Sequence, residues 1–174
     1  MSRIGSDLLK WAACFIAALS IGSCGGSDTV SRSVERLIGS RINTGIDIDT
    51  TDGHYTVLRY VKPLSCTSCQ LQMGVWKIYR RKMANRFGDR VDIRFIVEAP
   101  SSDEVRNVVR VYGFETDTYV DSVGRFLQEN GDFRALGNDV VILLDSARTI
   151  KFIGDPCQSY KADSIYHKII SDRL

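Results

Sequence analysis

The spacing of apolar and polar residues predicts alternating strands and helices over most of this chain. Residues 55–61 are rich in β-branched and aromatic side chains, and residues 91–97 alternate with the period of two that a strand requires. Residues 139–145 form a continuous apolar run, typical of a strand buried on both faces of a sheet. From Tyr55 onwards the predicted order is β-α-β-α-β-α-β-β-α, an α/β fold. The remaining predicted elements are strands at 118–120 and 149–153 and helices after Ser101, after Ser122 and around 165–170.

The longest predicted helix covers residues 69–87, with Ser65 as its N-cap. Two apolar stripes run along it, roughly opposite each other, so we expect the helix to be covered on two sides. The first stripe is Cys69, Met73, Trp76, Met83 and Phe87, and the second is Leu71, Val75 and Ile78. A capping box from Ser101 to Glu104 is predicted to start the next long helix.

The first residues of the chain differ from the rest. Arg3 and Lys10 flank the start of a mostly apolar run at 11–21, which has the length of a signal-peptide core and is too short to span a bilayer as a helix. Small residues then lead to Cys24, and this end resembles the lipobox of bacterial lipoproteins, in which the cysteine is acylated. We therefore predict a lipoprotein signal peptide at 1–23 and lipidation of Cys24. An ordinary secretory signal cut near Ser23 is the alternative.

Composition divides the remaining chain into three segments. Residues 24–33 are rich in Gly, Ser, Thr and Asp and predict a flexible tether. Residues 34–54 predict an N-terminal extension, with an edge strand at 45–49, and residues 55–174 predict the folded domain. The 44% of hydrophobic and 25% of charged residues are typical of a globular protein, and a formal charge of +2 gives no reason to expect a nucleic-acid partner.

The cysteines carry the candidate chemistry. Cys14 would leave with the signal peptide and Cys24 would carry lipid, so three thiols remain in the mature domain: Cys66, Cys69 and Cys157. Cys66 and Cys69 form a C-x-x-C pair where a predicted strand runs into a helix, and the N-terminus of a helix favours a thiolate. From these residues alone the pair is a catalytic dithiol, a structural disulfide or half of a metal site.

A strand that runs into Cys66-Thr67-Ser68-Cys69, followed by βα units and a closing hairpin and helix, resembles the thioredoxin fold. The extra βα unit around residues 118–130 makes the chain similar to the exported TlpA and ResA-like branch with AhpC/TSA-type topology. The resemblance covers about 55–174 and also rests on Leu143-Leu144-Asp145, on Gly154 and on Trp76. It implies a thioredoxin-like fold in which helices flank a central mixed sheet, with the βα unit as an insertion.

The resemblance also implies a function. It implies a membrane-tethered thiol–disulfide oxidoreductase of the cell envelope, held by its lipid and acting on an exported protein or a small disulfide. In such proteins the first cysteine, here Cys66, is the attacking thiolate, and the second, here Cys69, is more buried and resolves the mixed disulfide. No cofactor is implied.

Three positions depart from the pattern of these proteins. Ser65 replaces the tryptophan that usually precedes the first cysteine, and Tyr60 stands six residues before Cys66, where an acidic or polar residue often accepts a proton. Residues 136–139 contain no proline, although a cis-proline normally precedes the penultimate strand. Because a non-proline cis bond is costly, we expect a trans bond here and an altered substrate groove.

Four alternatives stay open. The domain could be a non-catalytic thioredoxin-like binding or scaffold module. The domain could be a thiol peroxidase, whose sequence pattern is P-x-x-x-T-x-x-C. Aligned from Pro63, this pattern matches Thr67 but requires a cysteine at the position of Gln70. A metal site would need Cys157 and a histidine beside the C-x-x-C, and the candidates are His54 and His167. Finally, Cys157 could act as a third redox thiol, because the end of the last strand is expected at the same sheet edge as the pair.

Overall fold

A computed structural model describes residues 25–45 and 51–172 of the chain. The predicted signal peptide, Cys24 and most of the predicted edge strand at 45–49 lie outside these residues. The helices are α1 (Gly25–Leu37), α2 (Thr67–Leu71), α3 (Met73–Phe87), α4 (Ser102–Tyr112), α5 (Arg125–Glu129) and α6 (Tyr160–Ser171). The strands are β1 (Tyr55–Val61), β2 (Val91–Glu98), β3 (Thr118–Asp121), β4 (Asp139–Asp145) and β5 (Ile150–Ile153).

The strands form one mixed five-stranded sheet in the order β3-β2-β1-β4-β5. Strand β1 pairs in parallel with β2 and antiparallel with β4, and β5 pairs antiparallel with β4. All seven residues of β1 are buried, as expected for a central strand with both faces covered. This confirms the predicted α/β fold with a central mixed sheet, and β3 with α5 forms the predicted extra βα unit.

Each face of the sheet has its own hydrophobic core. One core contains Val57 and Val61 from β1 and is covered by α3, α4 and α6. The other contains Leu58 and Tyr60 and is covered by α1, α5 and the 3₁₀ turn at Gly131–Leu136. Because side chains alternate along a strand, odd-numbered residues of β1 face the C-x-x-C side of the molecule and even-numbered residues face away from it.

The segment predicted as a flexible tether is helical from Gly25 onwards. Ser33 and Leu37 lie one turn apart on the inner side of α1 and are buried, and the helix packs against the turn at Gly131–Leu136. The chain then follows the free edge of β5, where Gly39 N donates to Ile150 O at 2.8 Å and Ile150 N donates to Ser40 O at 2.9 Å. This covers an edge strand that would otherwise expose its hydrogen-bonding groups.

The long helix predicted at 69–87 is two helices, because the chain turns at Gln72 with φ 49° and ψ 37°. Only the first apolar stripe of α3 is buried. Val75 is 44% and Ile78 73% exposed, so the prediction that this helix is covered on both sides was wrong. Ser101 is the N-cap residue of α4 by position, but its side chain makes no capping hydrogen bond, so the predicted capping box is not formed.

Between residues 25 and 45, and between 51 and 172, no helix combines the length and the apolar character needed to cross a membrane.

Candidate redox site

The candidate site lies where β1 ends and the short helix α2 begins. Cys66 and Cys69 form a disulfide with a Cα–Cα distance of 5.4 Å. The sequence predicted Ser65 as the N-cap of this helix. In the structure the N-cap of α2 is Cys66. Both cysteines are exposed, so the pair is open to another thiol or disulfide.

The local geometry places hydrogen-bond donors on the first sulfur. The main-chain N–H of Cys69 donates to Cys66 Sγ at 3.4 Å, and Ser68 Oγ lies 3.3 Å from the same sulfur. Gln70 anchors the approach to the helix, because its Oε1 accepts from Leu64 N at 2.7 Å. Hydrogen bonds to a sulfur that can ionise favour its thiolate form, so Cys66 is the better placed nucleophile of the two.

The resemblance implies that Cys69 is the more buried of the two cysteines, and in the structure both are exposed. Helix α2 runs along the surface, and of its residues only Thr67 and Leu71, one turn apart, turn inward and are buried. Cys69 falls on the outer side of the turn. The hydrogen bonds to Cys66 Sγ distinguish the first sulfur.

A buried arginine, which no sequence pattern singles out, supports α2 on its inner side. Arg59 is 0% exposed and faces the helix from β1. It donates to Leu71 O at 2.6 Å and to Gln70 O at 2.8 Å, which are carbonyls at the end of α2. It also makes a two-pronged ion pair with Asp139, at 2.9 Å and 2.6 Å. The guanidinium thus ties the C-x-x-C helix to the first residue of β4.

Tyr60 lies on the opposite face of the sheet from the cysteines. Its hydroxyl donates to Glu98 Oε2 at 2.7 Å, and its ring stacks on Phe126. Burial, with a further contribution from the Glu98 carboxylate, raises the pKa of Tyr60 well above its ordinary value. The residue six positions before Cys66 is therefore a structural hydrogen-bond donor and has no contact with the thiols.

The segment before β4 has the expected backbone. Lys62 N donates to Asn138 O at 2.7 Å, which joins the end of β1 to this segment. None of the peptide bonds in the described residues is cis, so the expected trans bond is confirmed. A small cavity of about 170 Å³ opens beside the cysteines, between residues 63–67 and residues 98–105. It is smaller than the roughly 300 Å³ at which pockets for small molecules begin.

Cys157 is a free, half-buried thiol in the turn between β5 and α6. Its main-chain N–H donates to Asp155 Oδ1 at 2.7 Å, and its side chain packs against the core beneath α3. Burial raises its pKa to about 12, with Asp155 adding to the effect and Arg59 opposing it. Cys157 is thus a protonated thiol at neutral pH, and its role as a third redox thiol stays a prediction.

Each of the two histidines lies close to an aspartate. His54 Nε2 is 3.5 Å from Asp92, and His167 Nε2 is 3.3 Å from Asp163 on its own helix. Burial lowers the pKa of His167, the carboxylate of Asp163 opposing this. Across the part of the chain that the structure describes, no group of three or more His, Cys, Asp or Glu side chains is arranged to hold a metal ion.

Comparison with known proteins establishes the fold. No protein-family model and no curated protein matches the sequence. Four of the similar solved structures superpose with a TM-score of 0.53. A proposed thiol:disulfide interchange protein DsbE from Chlorobium tepidum is 11% identical over 68% of this chain and 81% of its own. A thioredoxin-like protein from Parabacteroides distasonis is 9% identical over 74% and 92%.

The third structure, a proposed thiol-disulfide oxidoreductase from Bacteroides vulgatus, is 15% identical over 69% of this chain and 76% of its own. At such low identities the likeness concerns the fold. The chain has the thioredoxin-like fold that its sequence predicted, with an exposed C-x-x-C disulfide at the start of α2.

Proposed function

We propose that this protein is a thiol–disulfide oxidoreductase that acts through Cys66 and Cys69 on exported proteins or small disulfides. The observation that carries the proposal is the exposed disulfide, whose first sulfur accepts the main-chain N–H of Cys69. A crosslink between cysteines three positions apart closes too small a loop to stabilise the fold much. Its exposure at a helix start suits disulfide exchange better than a structural role.

The reaction is two successive exchanges. The Cys66 thiolate of the reduced protein attacks one sulfur of a substrate disulfide. A Cys66–substrate bond forms, the substrate disulfide breaks, and the departing sulfur takes a proton from water. The Cys69 thiolate then attacks Cys66 Sγ, which restores the Cys66–Cys69 disulfide and releases the second substrate thiol. Two electrons have passed to the substrate, and an external dithiol must return them before the next cycle.

We further propose that the protein is exported and held at a membrane surface of the cell envelope by lipid on Cys24. The support is the predicted signal peptide at 1–23 with its lipobox-like end. Cells grown with a clickable fatty acid should label the protein, and the Cys24→Ser variant should lose the label. A label that persists in Cys24→Ser, or a wild-type protein without one, contradicts lipidation.

The redox role is tested by trapping mixed disulfides in cells. In a Cys157→Ala background, Cys69→Ser leaves Cys66 without its resolving partner, so covalent adducts with other proteins should accumulate. Cys66→Ser is the matched control and should give few adducts. Both variants are resolved on non-reducing gels after thiols are blocked with acid and alkylating agent.

A complementary measurement uses the purified protein. The reduced wild-type domain should reduce a fluorogenic peptide disulfide, and both single cysteine variants should fail to turn over. If no adducts form with either variant and the peptide is not reduced, the protein is a non-catalytic thioredoxin-like module. If Cys66→Ser traps as many partners as Cys69→Ser, the assigned roles of the two cysteines are wrong.

A further inference from the structure

We propose that the buried Arg59–Asp139 pair sets the redox equilibrium of the Cys66–Cys69 disulfide, with Arg59 as a positioning residue that places a positive charge beneath α2. The inference rests on the proposed function, because it assigns a regulatory charge to the same site. It concerns a property of the dithiol itself, which is measurable whether or not the protein turns over a substrate.

The contacts of Arg59 place its charge directly under the C-x-x-C helix. Its guanidinium binds Gln70 O and Leu71 O, and Gln70 is the residue that follows Cys69. The guanidinium carbon also lies 5.4 Å from the centre of the Trp76 ring, which is itself fully buried in the helix that follows. Arg59 is thus enclosed by α2, α3 and the sheet, with no exposed surface of its own.

The pair is electrically asymmetric. The side chain of Arg59 is 0% exposed, whereas that of Asp139 is 41% exposed at the start of β4. Water screens the exposed carboxylate far more than the buried guanidinium, so a net positive potential remains beneath α2. A positive potential stabilises a thiolate, and a stabilised thiolate favours the reduced dithiol over the disulfide. Arg59 therefore makes the pair more oxidising.

Other charged groups on this side of the sheet affect the pKa of Cys157, which is not part of the disulfide. Asp155 raises the pKa of Cys157, together with burial, and Lys82 lowers it. Arg59 lowers the pKa of Cys157, as Lys82 does. Asp163, which pairs with Lys82 at 2.6 Å, adds a further negative charge near Cys157.

The test compares two substitutions that remove opposite halves of the pair. Asp139→Asn keeps the shape of the side chain and leaves the Arg59 guanidinium without its carboxylate. Arg59→Met keeps much of the side-chain volume and leaves the Asp139 carboxylate without its cationic partner. In a Cys157→Ala background, Asp139→Asn should lower the first thiol pKa of the reduced pair, and Arg59→Met should raise it. The equilibrium constant with glutathione should shift about tenfold in opposite directions, equivalent to about 30 mV each way.

The thiol pKa is followed by thiolate absorbance at 240 nm, and the redox equilibrium by separating oxidised and reduced protein after acid quenching. The double variant Arg59→Met with Asp139→Asn should fall between the two single variants. The matched control is a second ion pair, Arg80–Asp117, with an N–O distance of 3.1 Å and a place away from α2. Arg80→Met and Asp117→Asn should leave both measurements unchanged.

Opposite shifts from the two variants support the proposal. A role limited to folding would lower the free energy of unfolding in both variants without opposing redox shifts, and that result would overturn it. An unchanged equilibrium in Asp139→Asn would also overturn it. If Arg59→Met does not fold, the fall in thiol pKa and the shift in redox equilibrium expected of Asp139→Asn decide the question by themselves. Failure of partner trapping with clear opposing shifts here would reject the proposed function and leave the role of Arg59 standing.

Discussion

Tyr60 and Glu98 form a hydrogen bond of 2.7 Å between neighbouring parallel strands, on the face of the sheet opposite the cysteines. Glu98 also pairs with Lys62 at 2.6 Å, so the carboxylate links two points near the end of β1. The raised pKa of Tyr60, caused first by burial, keeps the hydroxyl protonated as a donor. This contact gives Tyr60 a structural role and separates it from the thiol chemistry.

Tyr60→Phe is accordingly expected to lower stability without changing exchange. Loss of one hydrogen bond to a charged, largely buried carboxylate should cost about 1 to 2 kcal/mol of the free energy of unfolding, measured by urea denaturation. The rate of peptide disulfide reduction at pH 7 should stay within twofold of wild type. A tenfold loss of rate in the folded variant would show that Tyr60 takes part in proton transfer after all.

The sequence predicted the strands well because β-branched and apolar residues are concentrated in them. The bounds of β1 and β4 match the predicted 55–61 and 139–145, since runs of β-branched and apolar residues rarely occur elsewhere than in a buried sheet. The first part of helix α1, up to about residue 33, was missed because its Gly, Ser, Thr and Asp content is typical of a tether. Its helical form depends on the burial of Leu37 against the turn at Gly131–Leu136, which no local pattern reveals.

The site was predicted only in part. The spacing of Cys66 and Cys69 was sufficient to place the pair at a helix start. The burial of Arg59 could not be predicted from the sequence, because a single charged residue in an apolar strand normally faces solvent. Its burial requires two carbonyls from α2 and a carboxylate 80 residues further along the chain. Such partners become visible only when the chain is folded.

The break between α2 and α3 leads to a second prediction. Gln72 is exposed and adopts φ 49°, a left-handed conformation that costs a residue with a side chain about 1 kcal/mol. Gln72→Gly should therefore raise the free energy of unfolding by about 1 kcal/mol, whereas Gln72→Ala should change it little. In a continuous helix, glycine would instead destabilise by about the same amount. A destabilised Gln72→Gly protein in urea denaturation would thus argue against the break.

The hydroxyl of Ser68 provides a third prediction. Ser68 Oγ lies 3.3 Å from Cys66 Sγ and can donate to the thiolate of the reduced protein. Ser68→Ala should raise the pKa of Cys66 and slow peptide disulfide reduction at pH 7 by about two- to tenfold, the range of one modest hydrogen bond. Ser65→Ala is the matched control, because Ser65 is also exposed and adjacent to Cys66. Equal effects of the two substitutions would remove Ser68 from the site's chemistry.

The half-buried thiol of Cys157 predicts a loss of stability at alkaline pH. Burial raises its pKa from 9.0 to about 12. Below pH 9 the thiol is protonated in both the folded and the unfolded chain, so its contribution to the free energy of unfolding is fully present. As the pH rises from 9 towards 12, the unfolded chain loses the proton first, and stability falls.

The measurement compares Cys157→Ala with its parent, both in a Cys66→Ser and Cys69→Ser background that prevents disulfide exchange. Urea denaturation at pH 8 and pH 10 should show the parent losing up to about 1 kcal/mol more than Cys157→Ala, after allowance for partial exposure of the thiol. The buried tyrosines Tyr60, Tyr79 and Tyr166 also have raised pKa values, but they are present in both proteins and cancel in the difference. An identical pH dependence in the two proteins would mean that the Cys157 thiol ionises as readily in the folded chain as in the unfolded one.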